Sequence, residues 1–199
     1  MFGLILKDLK NVKGQIVYYI VVFVALAGIS IATGNVYFMS GVSFLGVALP
    51  LSAIAIDEKD KWDTFALAAG VTRSRLVLSR YILACVSFGL MLAAAFSVAA
   101  ASRLLDNAAV VALLSFGGIG VIAADVMFPF IFKLGTEQAR AVYLAFIAAG
   151  VLLGASVSVL IELVEGAKNI LLFLPMALGV AGLLPSVYAS LRIYQSKNF

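Results

Sequence analysis

Histidine is absent from this chain and cysteine occurs once, at Cys85 inside an apolar run. Those absences exclude a disulfide within the chain, a zinc centre of the usual Cys/His kind, and catalysis that relies on imidazole. Charge is also scarce: 12% of the 199 residues are Asp, Glu, Lys or Arg, against about 25% in ordinary globular domains. No G-x-x-x-x-G-K-[ST] run occurs, so no P-loop can cradle nucleotide phosphates. No paired-carboxylate, Ser–Lys or metal-ligand constellation supports hydrolysis either. No polar segment exceeds about 25 residues, which is below the usual size of a soluble domain. What fills the chain instead is hydrocarbon, with 64% hydrophobic residues and a mean hydropathy of +1.14. That composition belongs to an all-α integral membrane protein forming one domain over residues 1–199.

A helix crossing the bilayer core needs about 20 consecutive apolar residues. Six runs qualify, roughly 16–34, 36–56, 81–101, 108–132, 141–161 and 169–191. Only the Gly34–Asn35 corner separates the first two, which predicts a tight helical hairpin. Pro129 in the fourth run predicts tilt or a kink. The net charge of +4 reads as topology rather than nucleic-acid affinity. With both termini inside, the inner side carries Lys7, Lys10, Lys13, Lys59, Lys61, Arg73, Arg75, Arg80, Lys133, Arg140, Arg192 and Lys197, and the outer side only Arg103 and Lys168. This positive-inside bias predicts six spans, N-in and C-in. The N-terminus imitates a signal peptide, with Ala25-Leu26-Ala27 as its cleavage site. The apolar run continues past Ala27, however, and cleavage would leave five spans of reversed parity, so the segment is expected to be retained. Over residues 1–15, Phe2, Ile5, Leu6, Leu9 and Val12 recur at helical spacing with Lys7, Lys10 and Lys13 largely off the stripe. This predicts an amphipathic interfacial helix with its lysines toward anionic lipid.

Two inner loops stand out. In the first, residues 57–63 carry four acids and two lysines around Trp62, with Phe65 and Ala69 following at helical spacing. A short helix is expected here, with Trp62, Phe65 and Ala69 on one face and Asp60, Lys61 and Asp63 elsewhere. Gly70 would end it, and Thr72 or Ser74 would cap the next helix. Two readings stay open: a contact offered to a soluble partner, or an interfacial Trp anchor with solvated charges. In the second loop, Gly135 can break the helix and Thr136 cap the next, with Glu137 and Arg140 close on its first turn. Inside the fourth run, Asp125 is either a lining residue or proton site, or a buried group paired with Arg140, Lys133 or a donor on a neighbouring chain. The paired state is the expectation. Small residues such as Gly117, Gly118 and Gly120, and the Gly150/Gly154 pair, permit close helix packing within the bundle.

These loops, in this order within a six-span chain, resemble the bacterial ABC-2-type permeases of the small six-helix kind, such as the membrane subunits of the phenol-soluble-modulin exporter. The resemblance rests on Lys7-Asp8-Leu9 near the start and on Glu58 through Trp62 and Asp63 after the second run. It continues with Arg73, Val77 and Tyr81, then with Pro129, Lys133, Gly135, Glu137 and Arg140. Ala69-Gly70 stands where the family commonly has Leu-Pro, and Arg80 where it has lysine. The resemblance implies a permease in the bacterial cytoplasmic membrane that pairs with an identical or homologous permease and sits on two copies of a P-loop ATPase. ATP and Mg would be held by that ATPase, with no cofactor on this chain. The first inner loop would be the coupling helix, with Asp60, Lys61, Trp62, Asp63, Phe65 and Arg73 as its contact residues. Lys133, Gly135, Glu137 and Arg140 would form the second cytoplasmic turn. The function so implied is ATP-driven export of an amphipathic or apolar substrate, peptides among them. The rival readings are a self-contained proton-coupled carrier or small channel using Asp125, and a membrane scaffold that docks partners through the loop.

Overall fold

The structure, a computed structural model, describes residues 2–139 and 168–197. Among them every regular element is a helix: α1 (Phe2–Thr33), α2 (Tyr37–Ser40), α3 (Val42–Lys59), α4 (Trp62–Ala68), α5 (Arg73–Ala101), α6 (Asn107–Leu134) and α7 (Lys168–Ser196). Five segments are long and apolar enough to cross a membrane: Gly3–Thr33, Tyr37–Lys59, Arg73–Ala101, Ala109–Leu134 and Phe173–Ser196. They match five of the six expected runs. The run at 141–161 lies outside the described residues, as do Arg140, Gly150 and Gly154.

The expected interfacial helix is not a separate element. Helix α1 is unbroken from Phe2 to Thr33, about 48 Å at 1.5 Å per residue. Its first turns lie against α3 and α5 through Asp8 and Val12, both fully buried, while Leu6 and Leu9 stay exposed. The stripe that packs therefore runs through Ile5, Asp8 and Val12, and Asp8 can join it because it finds a cation inside the bundle. The Gly34–Asn35 corner forms as expected. Gly34 takes a positive φ of 65°, and Asn35 Oδ1 accepts from the Tyr37 amide at 2.9 Å, so α1 and α2 meet in a tight hairpin.

Two of the prolines inside the spans, Pro50 and Pro129, are matched by hydroxyls on neighbouring helices. Pro50 has no N–H to give the Gly46 carbonyl, and Ser87 Oγ on α5 donates to that oxygen at 2.6 Å. Pro129 frees the Asp125 carbonyl in the same way, and Ser186 Oγ on α7 donates to it at 2.6 Å. Where no side chain stands, backbones come close. A Cβ on Gly46 would lie 2.6 Å from Phe88 Cα, and one on Gly118 would run into the Pro175–Met176 backbone. Among the described residues, helices α6 and α7 form the most extensive helix pair and run parallel: Gly118 meets Met176, Asp125 meets Ser186, and Phe132 meets Tyr194.

The interior divides along the bundle. Near α4 a cluster of Ile54, Ala66, Val77, Tyr81, Phe128, Phe132 and Tyr194 forms a run of ring contacts. At the opposite end Met39, Val42, Ala95, Ala99 and Leu113 pack together. That end carries the Asp106 side chain as N-cap of α6, accepting from the Ala109 amide at 2.6 Å.

Candidate functional site

The α4 end of the bundle is built around one guanidinium. Arg80, on the second turn of α5, is 3% exposed and reaches three carboxylates. It pairs with Asp57 of α3, with Asp8 of α1 at 2.9 Å, and with Asp63 of α4 at 3.7 Å. Lys7 supplies the second cation, 2.5 Å from Asp57 and 2.8 Å from Asp8, and Asn11 Nδ2 donates to Asp57 at 3.2 Å. Asp8 and Asp57 are as buried as Arg80. Buried charges are tolerated only when paired, and this network meets that requirement with partners from four helices.

Helix α4 is seated on this network. Its start is a left-handed Lys61 (φ 52°, ψ 32°). Its end is a Schellman turn in which the Val71 amide donates to the Ala66 carbonyl and the Gly70 amide to the Leu67 carbonyl, both at 3.0 Å, with Gly70 at φ 86°. Gly70 therefore ends the helix as expected. Thr72 is the N-cap of α5 by backbone alone, with no side-chain bond. The expected single face of Trp62, Phe65 and Ala69 is split. Trp62 packs on the core with the Lys7 ammonium 4.6 Å from its ring centroid, and Ala66 is buried beside it. Phe65 stands 62% exposed, its ring 5.2 Å from that of Trp62, and Ala69 is exposed too. The reason is that four residues make about one helical turn, so Trp62 and Ala66 share the inward face. Asp60 and Lys61 are exposed. Asp63 is drawn inward by Arg80 and by the Tyr194 hydroxyl.

The structure joins the two inner loops. Gly135 ends α6 at φ 88°, and the amide of Thr136, which opens the next helical turn, donates to Glu58 Oε2 at 2.7 Å. The cap on that turn is therefore Glu58 from the other loop, in place of the expected Thr136 side chain, and a carboxylate suits a helix N-terminus. A Cβ at Gly135 would collide with the Glu58 carboxylate. Lys133 and Glu137 are exposed. Arg73 donates to the Gln195 carbonyl, and Lys197 Nζ to the Phe132 carbonyl at 3.3 Å, which ties the end of α7 to the same surface. Of the residues expected at the site, Trp62, Asp63, Arg73 and Gly135 are held in place, while Asp60, Lys61, Phe65, Lys133 and Glu137 face outward. Arg80, Asp57, Asp8, Lys7 and the Glu58 carboxylate as a cap are what sequence reasoning missed. The signals present were an excess of acids in segments that end or begin spans and the place of Lys7, Asp8, Glu58 and Arg80 in the family resemblance.

Asp125 lies deeper, 8% exposed, and neither carboxylate oxygen has a hydrogen-bond partner among the described residues. The expected partner Lys133 is exposed, and it sits about two helical turns further along α6; Arg140 lies outside the described residues. The group that answers the proline is Ser186, acting on the Asp125 backbone. Among the described residues no cluster of His, Cys, Asp and Glu could hold a metal ion.

No curated protein and no solved structure matches the chain. A sequence profile described as "ABC-2 family transporter protein" matches residues 3–195, nearly the whole length. Together with five bilayer-length apolar helices, that match makes the chain a multi-pass membrane protein belonging to the ABC-2 transporter family.

Proposed function

We propose that the chain is the permease subunit of an ATP-driven exporter, coupled through α4 to a separate P-loop ATPase that holds ATP and Mg. The observation that carries this reading is the construction of α4: an exposed Phe65 ring backed by a core-packed Trp62, on a short helix whose Asp63 joins the buried ion network of α1, α3 and α5. An exposed aromatic on a rigid base, rimmed by Asp60 and Lys61, is how a docking contact concentrates its energy. Push or rotation applied there reaches the bundle through Arg80 and reaches the second loop through Glu58. The proposed assembly has two permeases, identical or homologous, and two ATPases in a bacterial cytoplasmic membrane, N-in and C-in. Six spans are supported by α6 and α7 running parallel, since parallel neighbours need a return crossing between them. The apolar spans favour an amphipathic or apolar substrate, peptides among them.

The test is purification in mild detergent with the co-purifying proteins identified. Phe65→Ala is expected to cut recovery of a P-loop ATPase, and ATP hydrolysis linked to transport, at least about tenfold, the effect of removing a hot-spot aromatic, while leaving the melting temperature of the chain unchanged. Trp62→Ala is expected to lower both recovery and melting temperature. Undiminished recovery and hydrolysis with Phe65→Ala would sink the assignment. A self-contained carrier built on Asp125 is the second reading, favoured by that carboxylate's lack of a partner among the described residues. Repeated isolation of the chain with no ATPase would support it.

A further inference from the structure

Between α3, α5, α6 and α7 lies a cavity of about 180 Å³, and Asp125 lines it. The rest of the wall is apolar side chains and rings, with Tyr81, Phe88 and Phe128 and the sulfurs of Cys85 and Met176 among them. Gly182 faces the carboxylate, and a Cβ there would lie 2.7 Å from Asp125 Oδ2, so glycine leaves that oxygen room. The polar groups nearby are already used: the Tyr81 hydroxyl contacts Ser186 Oγ at 2.7 Å and Ser190 Oγ at 2.8 Å, and Ser186 serves the Asp125 carbonyl.

We propose that this cavity binds the ammonium end of a small amphipathic amine, with Asp125 as counter-ion and the rings of Tyr81, Phe88 and Phe128 around the adjoining hydrocarbon. A carboxylate at this depth is unfavourable unless it faces protein, water or a counter-charge. An ammonium supplies that charge and donates to both oxygens. Aromatic faces add cation–π attraction, and the volume exceeds the roughly 150 Å³ that holds a benzene ring in a protein interior. An inorganic divalent ion fits poorly, because it needs about six oxygen ligands and the wall offers one carboxylate. The site goes beyond the exporter reading, since binding here needs no ATPase.

Cys85, the chain's single cysteine, is exposed at the cavity wall and reports occupancy. The full chain, with the subunits that accompany it, is placed in nanodiscs of phosphatidylglycerol, which has no ammonium headgroup, and alkylated with N-ethylmaleimide. Phenethylammonium at ten times its Kd fills about nine-tenths of the sites and is expected to slow alkylation about tenfold. Propylbenzene, the same shape without the charge, is expected to have little effect, and Asp125→Asn to abolish the protection, measured as the ratio of alkylation rates with and without amine in that variant. Protection already present when phosphatidylethanolamine is added to the discs would identify a lipid headgroup as the ammonium source. Equal protection by both compounds, or none by the amine, would overturn the proposal in the wild-type chain alone, and protection that survives in Asp125→Asn would do the same.

Discussion

Arg80 is the residue on which the α4 end depends, because its guanidinium offers donors in a fixed fork and reaches Asp57, Asp8 and Asp63 at once. Replacing it by methionine keeps much of the bulk and removes the charge, leaving Asp8 and Asp57 buried with only Lys7 between them. Breaking a buried pair by removing one partner destabilises by about 3–5 kcal/mol, so Arg80→Met is expected to lower the melting temperature sharply in detergent. Adding Asp8→Asn to that variant is expected to recover part of the loss, because one unpaired charge is then gone. Lysine at this position should be intermediate, holding a charge without the fork. If Arg80→Met unfolds at the wild-type temperature, the network contributes nothing to stability. The pairing was not legible in the sequence, where Lys7, Asp8 and Arg80 entered only as positions of the family resemblance. Asp57 stands in a run of six charges within seven residues, which reads as a solvated loop, and only the fold shows that the first of them points inward. Asp8 was hidden in a lysine-rich helix for the same reason, its partner lying far along the chain in α5. Trp62 and Phe65, by contrast, announced themselves by rarity and spacing, and only their division between inside and outside required the structure.

At the scale of helices, the spans are explained by hydrophobic run length and the hairpin by Gly34–Asn35, both readable directly. How Pro50 and Pro129 are accommodated is not readable, because the compensating hydroxyl belongs to another helix in both cases. The arrangement makes a sharp expectation. Ser87→Ala removes the donor to the Gly46 carbonyl, a loss of about 1 kcal/mol for a hydrogen bond within a membrane bundle. With Pro50→Ala in place, the restored amide of residue 50 can satisfy that carbonyl within α3 itself, and the same Ser87→Ala change should then have a smaller effect. A double-mutant cycle on thermal stability measures the difference, and additive losses would mean that Ser87 does not serve the proline-freed carbonyl. The glycines tell a related story. Gly118 was identifiable as one of several small residues, but that it meets the α7 backbone depends on helix rotation, which composition does not encode.

The whole molecule has two unlike ends, and its function depends on which one faces the cytoplasm. The α4 end gathers Lys59, Lys61, Arg73, Arg75, Lys133, Arg192 and Lys197, while Arg103 lies at the other. Translocation across a membrane is biased against lysine and arginine in short loops, which is why the proposed function puts the α4 end inside. The docking reading stands or falls with that orientation, since an ATPase can reach Phe65 only from the cytoplasm. In a Cys85→Ala background, Leu105→Cys at the exposed turn before α6 is expected to react with a membrane-impermeant maleimide on intact cells. Lys133→Cys, exposed at the end of α6, is expected to react only after permeabilisation. The reverse pattern would place α4 outside, where no nucleotide-driven partner could bind it, and the weight would move to Asp125 and a carrier that works alone. If both positions label from outside, the crossing count itself would be wrong, because Leu105 and Lys133 bracket the single helix α6 and must lie on opposite faces if α6 spans the bilayer.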